Sequence, residues 1–157
     1  MESKDILLCT LNAKYIHASF GLRYLMANLG DLQDSSLLLE FTIHDNPLEL
    51  IESLLQHQPK IIGFGVYIWN VHETRTIIEL IKTIAPEVTI IIGGPEVSYE
   101  WERQPIVKIA DYLVTGEAEV TLPIICRQIL SGELPEKKVH YGVLPVVTEL
   151  KLPYYLY

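Results

Sequence analysis

Four short stretches of this sequence carry residues able to do chemistry. The first holds Asn12, Lys14, Tyr15, His17 and Ser19, a dense set of hydrogen-bonding side chains. His17 brings an imidazole, a group that ligates metals and moves protons, but no second ligand stands at metal spacing. Tyr15 and Ser19 suit ligand contact and helix capping equally. The second stretch brings Tyr67, Trp69 and Asn70 together, and an aromatic pair beside an amide suits a flat, partly apolar ligand. The third, "IIIGGPE", places Gly93, Gly94, Pro95 and Glu96 after a β-branched run. The fourth, "LVTGEAE", repeats that arrangement with Gly116 and Glu117. Glycine lets a backbone turn tightly and lets something large come close to it.

These stretches matter because of the elements that must hold them. Apolar runs at Asp5 to Leu11, Ser36 to Ile43, Lys60 to Tyr67, Val88 to Ile92 and Asp111 to Thr115 read as strands. Glu40 in the second run marks it as an edge strand. Helical spacing separates the runs. The expected buried stripes are Leu22, Leu25, Met26 and Leu29, then Leu48, Ile51, Leu54 and Leu55, then Ile77, Ile78, Ile81 and Ile84. Gly63 and Gly65 lie inside the third strand and suggest close packing against a helix.

Strands alternating with helices imply a parallel sheet covered on both faces. With the second strand at an edge, five strands in order 2-1-3-4-5 give a flavodoxin-like, three-layer α/β sandwich; Rossmann connectivity stays open on pattern alone. Ligands of such sheets bind outside the carboxyl ends of the strands, where strand order reverses. All four stretches lie at those ends.

Bulk properties narrow the function. A chain of 157 residues with 49% hydrophobic and 20% charged residues is expected to form one globular domain. A net charge of -8 argues against nucleic acid and against an anionic membrane as partner. No signal-peptide pattern opens the chain, and Cys9 and Cys126 read as buried free thiols, so a cytoplasmic protein is expected. Several chemistries fail on motif. GxGxxG is missing after the first strand, a hydroxyl-rich phosphate loop is missing there too, and no GxSxG elbow is present. No residue is expected to be catalytic.

Beyond Gly132 the sequence changes character. "ELPEKKVHYGVLPVVTELKLPYYLY" is punctuated by proline and rich in tyrosine. We read residues 1–135 as the domain and 136–157 as a linker toward a further domain, with a short edge strand possible around Val139 to Val143.

The segments "IIGFGVYIWN", "IIIGGPEVSYE" and "ADYLVTGEAEVTLP" together resemble the N-terminal cobalamin-binding domain of the cobalamin-dependent radical S-adenosylmethionine proteins. The opening "LNAKYIHASFGLRYL" and the closing "LPYYLY" are similar to that group as well, so the resemblance covers nearly the whole chain. It implies a corrin lying over the carboxyl ends of the strands, with its nucleotide tail running down between sheet and helices. Gly93, Gly94 and Pro95 would then line the tail, with Thr115, Gly116 and Glu117 beside it, and Tyr67 and Asn70 in the turn after the third strand. A side chain at Gly94 is expected to block the tail while barely touching the strand core.

One departure bears on the metal. The DxHxxG motif that places histidine below cobalt in other cobalamin domains has no match here. Tyr15 stands where its aspartate would be, and Gly21 lies four residues beyond His17. No metal ligand is therefore expected from this chain. CxxxCxxC is also missing, so a 4Fe-4S cluster and S-adenosylmethionine are expected only in a downstream radical domain. The resemblance implies cobalamin as cofactor, that domain as partner, and methyl transfer or a related radical reaction for the longer protein. This stretch alone would have no activity. The alternative is a non-catalytic docking module that keeps the fold with an empty cofactor site.

Overall fold

The computed structural model describes residues 2–14 and 17–157. Tyr15 lies outside the described residues. The strands are β1 (Ile6–Asn12), β2 (Ser36–Thr42), β3 (Ile61–Gly65), β4 (Thr89–Gly93), β5 (Tyr112–Thr115) and β6 (Val139–Tyr141). The helices are α1 (Phe20–Ala27), α2 (Pro47–Leu55), α3 (Val71–Ile84), α4 (Pro105–Ile109) and α5 (Thr121–Leu130).

All strand pairs are parallel, in the order β2-β1-β3-β4-β5-β6. The flavodoxin-like order holds, with β2 at one edge as Glu40 suggests. The sheet has six strands where five are expected. β6 is the short edge strand allowed for around Val139 to Val143, and it draws the start of the stretch read as linker into the sheet beside β5.

Alternation along the strands divides the core in two. Leu7, Cys9, Leu11, Ile62, Phe64, Ile90, Ile92 and Leu113 pack with α2, α3 and α4. Ile6, Leu8, Ile61, Ile91, Tyr112 and Val114 pack with α1 and α5. Every side chain of β1 is buried, which is why that strand reads as a continuous apolar run.

The stripes are mostly as expected, with two corrections. Leu48 is exposed and Leu50 takes its place in the core, because the face of α2 turned to the sheet carries Leu50, Ile51 and Leu54. Ile84 is exposed at the last turn of α3, beyond the sheet it would need to cover.

Caps fix the helix starts. The Ser19 hydroxyl accepts from the Leu22 amide at 3.2 Å to open α1. Asn46 accepts from Leu48 and Glu49 to open α2. Each cap satisfies amides that have no partner inside the helix.

After β6 the chain turns back across α1. Asn28 and Lys151 exchange two hydrogen bonds, at 3.0 and 2.9 Å. Gln33 donates to the Tyr155 hydroxyl at 2.7 Å, and the Arg23 guanidinium lies 4.6 Å from the Tyr157 ring centroid. The rings of this segment are still 62–68% exposed at Tyr154, Tyr155 and Tyr157. The segment is held by these polar contacts, by buried Pro153 and by Leu156 against the core beside α1, while its tyrosine rings stay largely uncovered. Among the described residues no helix is long and apolar enough to cross a membrane.

Candidate functional site

The site begins with a row of missing side chains. Thr10, Gly65, Gly93 and Val114 are register partners across β1, β3, β4 and β5 near their carboxyl ends. Gly63 lies two residues before Gly65, so both face α1 and α5. With no Cβ on three floor positions, the sheet leaves the space beneath α1 and α5 unfilled at this end. A groove of about 350 Å³ remains between them. Leu8, Leu22, Leu25, Ile91, Val114 and Leu122 make its apolar walls. Tyr67, Ser98, Tyr99, Glu117 and Glu119 supply its polar side chains. Among the described residues no lysine, arginine or histidine lines it.

The mouth is built by three loops pinned together. Gly94 has φ +118°, and a Cβ there would overlap the Val66 carbonyl. This glycine is demanded by the backbone: the Val66 amide donates to the Gly93 carbonyl at 2.7 Å across the same turn. The Gly94 carbonyl accepts from the Ser98 hydroxyl at 2.8 Å, and that hydroxyl accepts from the Gly116 amide at 3.1 Å. Ser98 thus joins the loop after β4 to the loop after β5. Gly116, at φ +70°, has open space where a side chain would stand.

Tyr67 stacks on Trp69 with ring centroids 4.5 Å apart and planes 6° from parallel. Its ring edge also lies over Gly65, and its hydroxyl lies against Gly21 of α1. The pair therefore stands at the groove's entrance.

Of the residues singled out in the sequence, Tyr67, Gly93, Gly94, Pro95, Gly116 and Glu117 line the groove. Four others hold its frame. Asn70 is wholly buried: its amide donates to Leu11 and Gly65 carbonyls at 3.0 and 3.2 Å, and its oxygen accepts from the Tyr67 amide at 2.9 Å. Asn12 donates to the His17 carbonyl and to Glu40, at 2.9 and 3.1 Å. Ser19 caps α1, as described. Thr115 is buried, and its carbonyl accepts from Gly142 at 2.7 Å. Trp69 reaches the groove through its stack on Tyr67, and its indole donates to the Leu11 carbonyl at 3.3 Å. The Glu96 carbonyl accepts from Gln104 at 2.5 Å, so its backbone belongs to the same loop.

The first loop depends on a residue read only as an edge marker. Glu40 accepts from Asn12, from the Ser19 amide and from Arg23, the last at 2.7 Å. Burial opposes its ionisation, but these hydrogen bonds and the Arg23 charge outweigh burial and hold the carboxyl below its ordinary range. His17 is exposed at the end of this loop. Among the described residues no group of three His, Cys, Asp or Glu side chains converges on a metal position. Burial raises both thiols, Cys126 to about 12, so neither is a ready ligand.

The model of the B12 binding domain matches residues 6–125, the stretch from β1 into α5. The chain belongs to the B12-binding domain family. The groove lies within the matched stretch. A radical methyltransferase that depends on cobalamin, TokK of Streptomyces tokunonensis, is 28% identical over 95 residues, 58% of this chain and 13% of its own. In fold, this B12-binding domain is similar to part of the cobalamin-dependent S-adenosylmethionine radical enzyme OxsB, solved with aqua-cobalamin and S-adenosylmethionine bound. The TM-score is 0.67 at 20% identity, over 86% of this chain and 20% of OxsB. A cobalamin-binding protein of Desulfitobacterium hafniense gives 0.56 at 20% identity, over 80% of this chain and 58% of that one. The chain thus spans about an eighth of the curated relative and a fifth of OxsB.

Sequence reasoning missed the floor and one wall. Gly63 and Gly65 were read as helix contacts, although their spacing of two places both on one face. Ser98 and Tyr99 had no local signal, since only the fold brings them to the groove, and Glu119 lay within the "LVTGEAE" stretch without being singled out in it.

Proposed function

We propose that this chain binds cobalamin with the nucleotide tail in the groove over Gly63, Gly65 and Gly93 and the corrin above the carboxyl ends of the strands. The observation that carries this reading is the groove itself. It is long, apolar and opened by glycines on three floor positions, and among the described residues no cation lines it. A phosphate-led nucleotide needs a cation or a free helix terminus at its anion. A flat neutral base on a slender chain needs an apolar slot, which is what the residues offer. The exposed Ile68 and Trp69 at the strand ends give the corrin an apolar seat.

Bound cobalamin supplies a cobalt centre able to carry a methyl group. This chain's part is to hold the cofactor. Tyr67 and Trp69 border the corrin, the glycine floor admits the tail, and Ser98 keeps the two glycine loops in register. His17 contributes no cobalt bond.

The longer protein is proposed to be a radical S-adenosylmethionine enzyme, of methyltransferase or related type. Its iron-sulfur domain would follow the segment after β6, whose exposed tyrosines would pack on it. A cytoplasmic setting is consistent with two free, buried cysteines. The test is absorbance of the protein after incubation with hydroxocobalamin and gel filtration. Co-elution of one corrinoid per chain supports the reading. Elution free of cobalamin favours the docking module.

A further inference from the structure

Glu119 is the one charged wall residue with an orphaned atom. Its Oε2 is buried and has no hydrogen-bond partner among the described residues. A carboxylate oxygen out of water and unpaired is a costly arrangement, and a native protein keeps one where a ligand completes it. The residue stands on the wall between the groove and a smaller cavity of about 130 Å³ beneath residues 145–150. That cavity offers it no free side-chain donor. Its amide, from Asn28, is committed to the Tyr24 and Lys151 carbonyls at 2.8 and 3.0 Å, and its other charged group is the carboxylate of Glu149. The groove side is apolar except for Tyr67, Ser98, Tyr99 and Glu117, and the Ser98 hydroxyl is already spent on Gly94. The Tyr67 and Tyr99 hydroxyls make no hydrogen bond to it, so a ligand that enters the groove can supply the missing donor.

We infer that Glu119 accepts a hydrogen bond from a hydroxyl of the cofactor's nucleotide tail, and so makes this domain selective for corrinoids that carry a nucleotide. The inference rests on the cobalamin reading above. A carboxylate suits the ribose hydroxyl and repels the phosphodiester. The phosphate therefore lies away from Glu119, and the sugar face lies toward it. The corrin amides are donors too, but they belong to the ring above the strand ends and not to the groove.

The test uses the 157-residue chain as wild type, Glu119→Gln and Glu119→Ala. Each is titrated by absorbance with hydroxocobalamin and with aquocobinamide, which keeps the corrin and its amides but lacks the nucleotide. Glu119→Ala should weaken cobalamin about tenfold or more, the loss typical of a hydrogen bond to a charged acceptor. Cobinamide affinity should stay the same. Glu119→Gln keeps a carbonyl acceptor and should lose less. Thermal unfolding without ligand supplies the control: neither variant should unfold earlier than wild type, since the orphaned oxygen gives the free protein nothing. Unchanged cobalamin affinity in Glu119→Ala, equal loss for both corrinoids, or a lower unfolding temperature in both variants would each overturn the inference. A wild-type protein that binds neither corrinoid removes the cobalamin reading and this inference with it.

Discussion

Gly65 and Gly93 are register partners on β3 and β4, and both present bare backbone to α1 and α5. Side chains at those positions would fill the space between sheet and helices, as Ile61 and Ile91 do lower on the same strands. The groove is therefore a packing defect set by sequence at the end of the sheet where ligands of this fold bind.

The two kinds of glycine should separate in stability. A Cβ at Gly65 would meet Tyr67, Thr10 and Leu22 at 3.4, 3.5 and 3.6 Å, ordinary contact distances. Gly65→Ala should leave stability unchanged or raise it by about 0.5 kcal/mol, through reduced freedom of the unfolded chain. Gly94→Ala should lose about 2 kcal/mol or more, from positive φ and overlap with Val66. Urea unfolding of the two variants checks both. The expectation that a side chain at Gly94 would spare the core is thus reversed, and Gly65 is the position that probes the groove.

Glu40 sets a pH dependence. Its folded carboxyl sits below its ordinary range, so its contribution is full above that range and is lost as pH falls through the folded value. Glu40→Gln should lower stability by about 2 kcal/mol at pH 7, less than a fully buried pair would lose because Glu40 is partly exposed. The gap between wild type and variant should close as pH drops below the ordinary glutamate range. Unfolding measured from pH 7 to pH 3 gives the test, and a gap that does not change with pH would contradict it.

His17 should leave the cobalt alone. It is exposed and no carboxylate group converges with it on a metal position among the described residues. His17→Ala should keep the visible spectrum of bound cobalamin. A shift in that spectrum would make His17 a ligand.

The terminal segment should be separable from the fold. Deleting residues 152–157 removes the Arg23 and Gln33 contacts together with the packing of Pro153 and Leu156, and should cost about 2 kcal/mol. Thermal unfolding of the shortened chain checks this, and loss of cooperative unfolding would show the segment to be part of the core.

Much of this was legible in the sequence because strands buried on both faces read as apolar runs. β1, β3, β4 and β5 are such runs, and Glu40 marked β2 as the edge. β6 was legible only as a possible short edge strand around Val139 to Val143, since three residues give no period to read. Asn70 carried the right chemistry for a ligand, but its partners Thr10 and Leu11 lie about sixty residues away, and only the fold spends its amide on them. Glu119 stood at the end of the "LVTGEAE" stretch, but its interest comes from burial, which residue type does not show. The glycine floor could have been read: "GFG" gives two positions on one face, and Gly93 joins them once β3 and β4 are aligned.

The most direct test of the groove is a pair of hydroxocobalamin titrations, on wild type and on Gly65→Ala, followed by absorbance. The account expects saturable binding at one corrinoid per chain and about tenfold weaker binding in the variant, the scale of one methyl forced into a fitted space. Equal affinity in the two proteins, with Gly65→Ala folded, would place the cofactor outside the groove and contradict the account.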